Sequence, residues 1–422
     1  MRIGLEGISF SVPQSYIEMN ALAKARNVDP LKYIKGLGQV EMSVASPCED
    51  TVVLAADAAA SLLANFNIDK STIGLVIVGT ESSVDQSKPV AVYVHHLLGL
   101  PQSCRTFEVK HACYGAMAGL NMAINWINSG RAPGKKALII ASDIARYGAG
   151  TAGEPTQGAG SVAMLVSDNP SLIEFNLKGE GVYSKQVMDF WRPNYSKEAF
   201  ADGHFSINCY LDALVGAYDS YRTSTGDQSK NLSACLYHVP FVKMAHKAHM
   251  KLLEFERGAA FEKDSAALKE AQDDYAKRVS PHLDINAKVG NIYTGSLFLA
   301  LLKLVEDFDP KATNRDISLF SYGSGCTAEW MTAKVLPEAH AYMKKHPYQK
   351  VLESRVRLTV EQYERMLEGA GKADQNDSNI CNPATWGIKK KFLYLGTHNN
   401  VRNYAVDGEV IIRAEVPKSE AA

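Results

Sequence analysis

The sequence predicts an α/β protein whose sheet is covered by helices on both faces. Three observations carry this. Continuous apolar runs such as Ile73-Gly-Leu-Val-Ile-Val-Gly79 and Gly158-Ala-Gly-Ser-Val-Ala-Met-Leu-Val166 are what strands buried on both sides require. Alanine-rich segments with apolar residues at helical spacing lie between such runs. The same alternation returns in the second half of the 422 residues, which points to layered α/β units and an internal duplication.

The elements follow in order. Met1 to Pro13 reads as a first strand, because Glu6 interrupts its apolar stretch and no signal-peptide pattern is present. Glu49 to Asn65 is a helix by alanine content and spacing, and Ile73 to Gly79 a strand. Helix Pro89 to Leu98 leads to strand Cys104 to Val109, helix Tyr114 to Asn128 to strand Lys136 to Ser142, and Gly158 to Val166 is a further strand. In the second half, Ala234 to His238 is a short strand, Phe241 to Phe255 and Gly295 to Val305 are helices, and Asp316 to Tyr322 is a strand ending in Gly323-Ser-Gly325. Two halves are expected, 1–168 and 169–422. The polar, tyrosine-rich stretch 194–231 is expected as an insertion over the site. Glu256 to Arg278 and Ala370 to Asn382 are charged or polar and read as solvated helix and loop.

Composition narrows the function. At 46% hydrophobic residues the chain can bury a large core. Forty-five basic against 46 acidic residues, without a block of like charge, give no electrostatic footprint for nucleic acid or for anionic membrane. The seven cysteines are an odd number, widely spaced and free of any CxxC pair. That speaks against a disulfide framework or a zinc site, and for a reducing, cytoplasmic setting. No run reaches the ~18 apolar residues of a membrane-spanning helix.

The chemistry concentrates in a few turns. In Thr106-Phe-Glu-Val-Lys-His-Ala-Cys113-Tyr-Gly a strand stops at a cysteine and a helix restarts, the context in which nucleophiles recur. A thiol at a helix N-terminus would feel the macrodipole, which would pull an ordinary pKa near ~8.5 toward ~7. Glu81, in Gly79-Thr-Glu-Ser-Ser, stands just past a strand, where ligands meet open α/β sheets. His238 likewise follows a strand. Lys243 and Lys247, one helical turn apart behind Pro240, form a point-charge site suited to phosphates. Gly290-Asn-Ile-Tyr-Thr-Gly295 and Ser321-Tyr-Gly-Ser-Gly325 are turns whose backbone N–H groups can approach a ligand closely.

These segments form one ordered series. Glu81 in Gly-Thr-Glu-Ser, Cys113 in Ala-Cys-Tyr-Gly, Asp143-Ile-Ala-Arg-Tyr-Gly, Gly153-Glu-Pro-Thr-Gln-Gly-Ala-Gly160, Asp189-Phe-Trp-Arg-Pro193, His238-Val-Pro-Phe-Val-Lys-Met, Gly290-Asn-Ile-Tyr-Thr-Gly-Ser-Leu and Ser321-Tyr-Gly-Ser-Gly closely resemble bacterial hydroxymethylglutaryl-CoA synthase. The resemblance runs from Ile3 to about Thr332 and more loosely through Asn399 to Tyr404. Positions 115 to 117 and His246, where a lysine is expected, depart from it.

The resemblance implies a thiolase-like fold, two duplicated halves forming a five-layered α-β-α-β-α core, and a homodimer. It implies condensation of acetyl-CoA with acetoacetyl-CoA in the mevalonate route to isoprenoids, with no metal and no cofactor beyond the CoA thioester substrates. Cys113 would be acetylated, Glu81 would remove a proton from the acetyl methyl group, and His238 would polarise and protonate the ketone of acetoacetyl-CoA. Backbone N–H groups of Cys113 and Ser324 would hold the enolate oxygen. Asp143 and Asp189 would orient these groups, Asn291 would bind the acetoacetyl thioester, Tyr147, Thr156 and Ser206 would line the acyl pocket, and Lys243 and Lys247 would hold CoA phosphates. The alternative within the superfamily is a polyketide β-branching synthase acting on acyl-carrier-protein thioesters. The two lysines and the Gly-Glu-Pro-Thr-Gln segment speak for CoA. A papain-like hydrolase would leave Glu81 without a task.

Overall fold

The computed structural model describes residues 2–196, 198–258, 261 and 265–411. Nine strands form one sheet. From its centre outward, Gly4–Ser11, Gly158–Ser167, Lys136–Ala145, Ile73–Gly79 and Arg105–Val109 lie on one side. On the other lie Ile173–Ser184, Thr327–Val335, Asp316–Gly323 and Ala234–Tyr237. The first and last strands of each half are central and its second strand lies further out. The same winding is therefore used twice, and Arg105–Val109 is the one strand without a counterpart. A short antiparallel pairing of Gly4 and Leu5 with Glu174 and Ile173 joins the halves.

Alternate side chains of the strands enter different cores, as two-sided burial requires. Leu75, Ile77, Ala137, Ile139 and Ala141 join the large core that contains the helix Gly115–Asn128. Val76, Val78, Leu138 and Ile140 join the core under the helices Thr51–Asn65 and Val90–Leu98. The helices Gly115–Asn128 and Ser296–Asp307 share the large core with both sets of strands. They are the middle of five layers, with Thr51–Asn65 outside one half and Gly203–Thr225 outside the other. Parallel pairing of Ile73–Gly79 with Arg105–Val109 and Lys136–Ala145 brings their C-terminal ends to one edge, and Ala234–Tyr237 pairs in parallel with Asp316–Gly323.

Three stretches differ from the expectation. Residues 194–231, expected as an insertion over the site, are built mainly of one packed helix. They carry the helix Gly203–Thr225, capped by Asp202 and ended by Gly226 at φ +78°. Its Cys209, Tyr210, Ala213, Leu214, Ala217, Tyr218 and Tyr221 are buried at helical spacing, so it is the counterpart of Thr51–Asn65. The charged stretch Glu256 to Arg278, of which 259, 260 and 262–264 lie outside the described residues, is not wholly solvated. Arg278 is buried in an ion pair with Asp274, which also bonds His249. Within Ala370 to Asn382, Cys381 is buried against Pro47.

Candidate active site

The site begins with a close approach of backbones. A Cβ at Gly79 would stand 2.3 Å from the Ala116 nitrogen, and one at Gly115 would stand 2.7 Å from the Val109 carbonyl oxygen. Only glycines let two strand ends abut the helix start this tightly. Thr80 N–H donates to Val109 O at 3.2 Å, so Glu81 and the turn carrying Cys113 emerge side by side. Ala112 takes φ +38°, a sparsely populated conformation for a residue with a side chain. The Cys113 thiol donates to Glu81 Oε1 at 3.3 Å. Arg192 Nη2 donates to the other oxygen, Oε2, at 3.0 Å.

The expected lowering of the Cys113 pKa is reversed. The helix starts at Gly115 with Tyr114 as its cap, so the thiol lies before the first turn. The N–H of Ala116 is taken by the Thr294 hydroxyl at 2.7 Å, from the other half of the chain. Burial, and then the carboxylates of Glu81, Asp143 and Asp189, push the thiol well above its ordinary range. A buried anion among like charges costs more than a helix end returns. The same burial, with Asp143 adding to it, raises the Glu81 carboxyl to about 8.

Asp143 holds this corner together. Its Oδ1 accepts from the Thr80 hydroxyl (2.8 Å), the Glu81 N–H (2.9 Å) and the Ser82 N–H (3.0 Å) and hydroxyl (2.5 Å). Its Oδ2 accepts from the Thr294 N–H at 3.2 Å. Burial lifts its pKa to about 6 against those hydrogen bonds. Asp189 does the same for the opposite wall, accepting from the Ser206 hydroxyl (3.1 Å), the Tyr322 hydroxyl (2.7 Å) and the Gly325 N–H (2.9 Å). Ser324 sits in that turn. Gly323 packs against Tyr114 and His111, where a Cβ would meet Tyr114 Cβ at 2.6 Å, and so brings the turn onto the Cys113 segment.

His238 lies at the end of the strand Ala234–Tyr237. Its N–H donates to Phe320 O and its carbonyl accepts from the buried Tyr210 hydroxyl, both at 2.8 Å. Burial lowers its pKa to about 3, so the imidazole is neutral. Its Nδ1 is buried with no partner among the described residues, and an unpaired buried polar atom in a native fold calls for a ligand or a role. Asn291 commits its side-chain oxygen to Tyr293 N–H (2.9 Å) and the Ser296 hydroxyl (3.0 Å), which leaves its amide N–H groups to donate. It follows Gly290, which at φ +88° crosses Gly158 so closely that a Cβ would meet Gln157 O at 2.0 Å.

Other expected residues hold their places differently. Tyr147 is fixed by a bond from its N–H to Gln157 Oε1 (2.7 Å) and lies edge-on to Phe190. The Thr156 hydroxyl donates inward to Gly153 O at 2.8 Å. The Gly153-Glu-Pro-Thr-Gln segment owes its shape to internal anchors. Glu154 is buried in a two-pronged ion pair with Arg26 (2.8 Å to each oxygen), and Gln157 donates to the Tyr363 hydroxyl at 2.9 Å. It positions Tyr147, and its retention says less about the acyl carrier than expected. Lys243 and Lys247 lie exposed on the helix Val242–Arg257, whose Met244, Ala245 and Ala248 are buried.

Sequence reasoning missed Arg192, Tyr293 and Thr294. All three lie inside the quoted segments. Their only signal was a cation, an aromatic and a hydroxyl in turns that carry no periodicity. Among the described residues, no group of three His, Cys, Asp or Glu is placed to hold a metal ion, and no helix is long and apolar enough to cross a membrane.

Comparison with known proteins matches the N-terminal unit of hydroxymethylglutaryl-coenzyme A synthase to residues 1–171 and the C-terminal unit to 173–264 and 257–397. Hydroxymethylglutaryl-CoA synthase of Enterococcus faecalis is 38% identical over 405 residues, covering 96% of this chain and all of that protein. The polyketide-biosynthesis 3-hydroxy-3-methylglutaryl-ACP synthase PksG of Bacillus subtilis is 34% identical, covering 89% of this chain and 90% of its own. The solved structure of MvaS in complex with 3-hydroxy-3-methylglutaryl coenzyme A superposes with a TM-score of 0.88 at 42% identity, covering 96% of this chain and 99% of the other.

Proposed function

The chain belongs to the hydroxymethylglutaryl-coenzyme A synthase family, with its thiolase-like fold, and we propose that its reaction runs through an acetyl thioester on Cys113. The enzyme transfers an acyl group and condenses acetyl-CoA with acetoacetyl-CoA and water, giving 3-hydroxy-3-methylglutaryl-CoA and CoA, a reaction of the mevalonate pathway. The observation that carries the residue assignment is the contact between the Cys113 thiol and Glu81, with Arg192 on the far oxygen.

The resting thiol is neutral, so its proton must leave as sulfur bonds to the acetyl carbon. Glu81 accepts the thiol's hydrogen bond and is the group placed to carry that proton toward the departing CoA thiolate. The freed Glu81 carboxylate, with its basicity raised by burial, then takes a proton from the acetyl methyl group. Backbone N–H groups of Cys113 and Ser324 hold the enolate oxygen. The enolate carbon attacks the ketone of acetoacetyl-CoA. A neutral imidazole has one N–H proton to give, so the proton His238 delivers to the new alkoxide must be replaced, and its unpartnered Nδ1 is the atom able to take one up. Water finally adds to the Cys113 thioester. Glu81, protonated since it took the methyl proton, gives that proton to the leaving sulfur, and the two water protons pass to solvent as the acid forms and ionises.

In this reading Asp143 and Asp189 position Glu81 and the Ser324 turn, and Asn291 donates to the acetoacetyl thioester. Tyr147, Thr156 and Ser206 shape the acyl pocket, while Lys243 and Lys247 meet CoA phosphates. No resident cofactor enters these steps. A homodimer accords with Arg105–Val109, which pairs on one side only within the sheet. A cytoplasmic setting accords with seven unpaired cysteines. Incubation with both CoA thioesters tests the function. Free CoA and 3-hydroxy-3-methylglutaryl-CoA should appear in equal amounts, whereas turnover confined to acyl-carrier-protein thioesters would replace this reading with the polyketide one.

A further inference from the structure

We propose that Arg192 recognises the carboxylate that hydrolysis releases from Cys113, and thereby distinguishes the product from both substrates. This rests on the reaction assigned above. Neither the acetyl nor the acetoacetyl group carries a charge. In the last step water adds to the thioester carbon, the C–S bond breaks, Glu81 returns to the sulfur the proton it took from the acetyl methyl group, and both water protons leave to solvent, the second as the acid ionises. A carboxylate therefore appears for the first time in the cycle, at the carbon that Cys113 held.

That place is hostile to an anion. The Cys113 sulfur feels the carboxylates of Glu81, Asp143 and Asp189. Arg192 is the cation hydrogen-bonded into this group, and it reaches Glu81 Oε2 while the thiol holds Oε1. The guanidinium thus lies one carboxylate away from the sulfur. Only Nη2 is engaged, and the remaining N–H groups have no partner among the described residues. Its plane lies over the Tyr293 ring at 5.9 Å, and that ring packs on Phe190 at 6.0 Å. The fork is held in place with donors to spare, the arrangement that binds a second carboxylate alongside the first. Arg146, one residue before Tyr147, is a half-buried guanidinium that feels Arg192. Burial lowers its pKa, Asp374 opposes this, and Arg192 deepens the lowering.

The test compares binding of 3-hydroxy-3-methylglutaryl-CoA, its methyl ester at the free carboxyl, and acetoacetyl-CoA by isothermal titration. Wild type should bind the acid at least about tenfold more tightly than the ester. Arg192→Gln should weaken the acid by about tenfold or more and leave the ester and acetoacetyl-CoA within about threefold. Arg192→Lys should recover part of the loss, keeping charge without the fork. Equal affinity of wild type for acid and ester, or an equal loss for all three ligands in Arg192→Gln, would overturn the proposal. The wild-type comparison decides the matter even where a variant fails to fold. Absence of any product from the two CoA thioesters would instead count against the assigned reaction.

Discussion

Replacing Glu81 by alanine should separate the two chemical stages of the reaction. Condensation needs a base at the acetyl methyl group, and loss of a positioned general base costs about 10²- to 10⁴-fold. Asp143, the nearest other carboxylate in the network, has its oxygens committed to backbone and hydroxyl donors, so the loss should lie toward the upper end. Acetylation is affected in two opposing ways. The thiol loses its acceptor, yet above about pH 8, where Glu81 is ionised, it also loses a negative charge 3.3 Å from the sulfur. At an effective dielectric of ~20 that charge opposes a thiolate by about 5 kcal/mol, or nearly four pK units. Removal of Glu81 therefore makes the thiolate far easier to form, which offsets the missing base. We expect Glu81→Ala to acetylate from acetyl-CoA within about tenfold of wild type, followed by intact mass after rapid quenching, while condensation falls by ~10³-fold or more. If the two rates fall together, Glu81 is indispensable to thiol attack and the two-stage division is wrong. If condensation stays within tenfold, another group is the base.

The remaining expectations concern pH and the carrier. Glu81 titrates near 8 and acts as a base when ionised, so the condensation rate should rise about tenfold per unit below that pH and level off above it. A rate flat from pH 6 to 9 would contradict this. Replacing Lys243 and Lys247 together by alanine should raise KM for acetoacetyl-CoA with a smaller effect on kcat, because charge at the tunnel mouth binds ground and transition states alike. Both side chains are exposed, so the difference should shrink as salt rises. An unchanged KM would remove these lysines from the CoA site.

Much of this architecture was legible because two-sided burial leaves a strong mark. Runs such as Leu75-Val-Ile-Val78 admit few readings, and repeated helix and strand alternation gives the layered α/β class, though not the order of the strands in the sheet. The meeting of Glu81 and Cys113 was legible too, since both stand just past strands of one parallel set. The helix Gly203–Thr225 was hidden because four of its core positions are Tyr210, Tyr218, Tyr221 and Cys209, which read as polar although their spacing is helical. The state of the Cys113 thiol was hidden for a different reason. It depends on Asp143 and Asp189, on Thr294 from the other half, and on a helix start displaced by one residue, to Gly115. Local sequence reports the dipole of the nearest helix and says nothing of charges brought in from afar. Arg192 shares this property, because its role is visible only once its guanidinium lies on Glu81.

The central claim is that Cys113 is the acyl carrier of the reaction, and acetylation in the absence of acetoacetyl-CoA tests it most directly. The enzyme should be mixed with acetyl-CoA alone, quenched in acid, weighed intact and mapped by peptide digestion. The account predicts one acetyl group per chain, carried on Cys113 and released when acetoacetyl-CoA is added. A label on Cys209 or Cys326, buried cysteines that also feel the Asp189 carboxylate, or a chain that turns over without ever gaining the acetyl group, would contradict it.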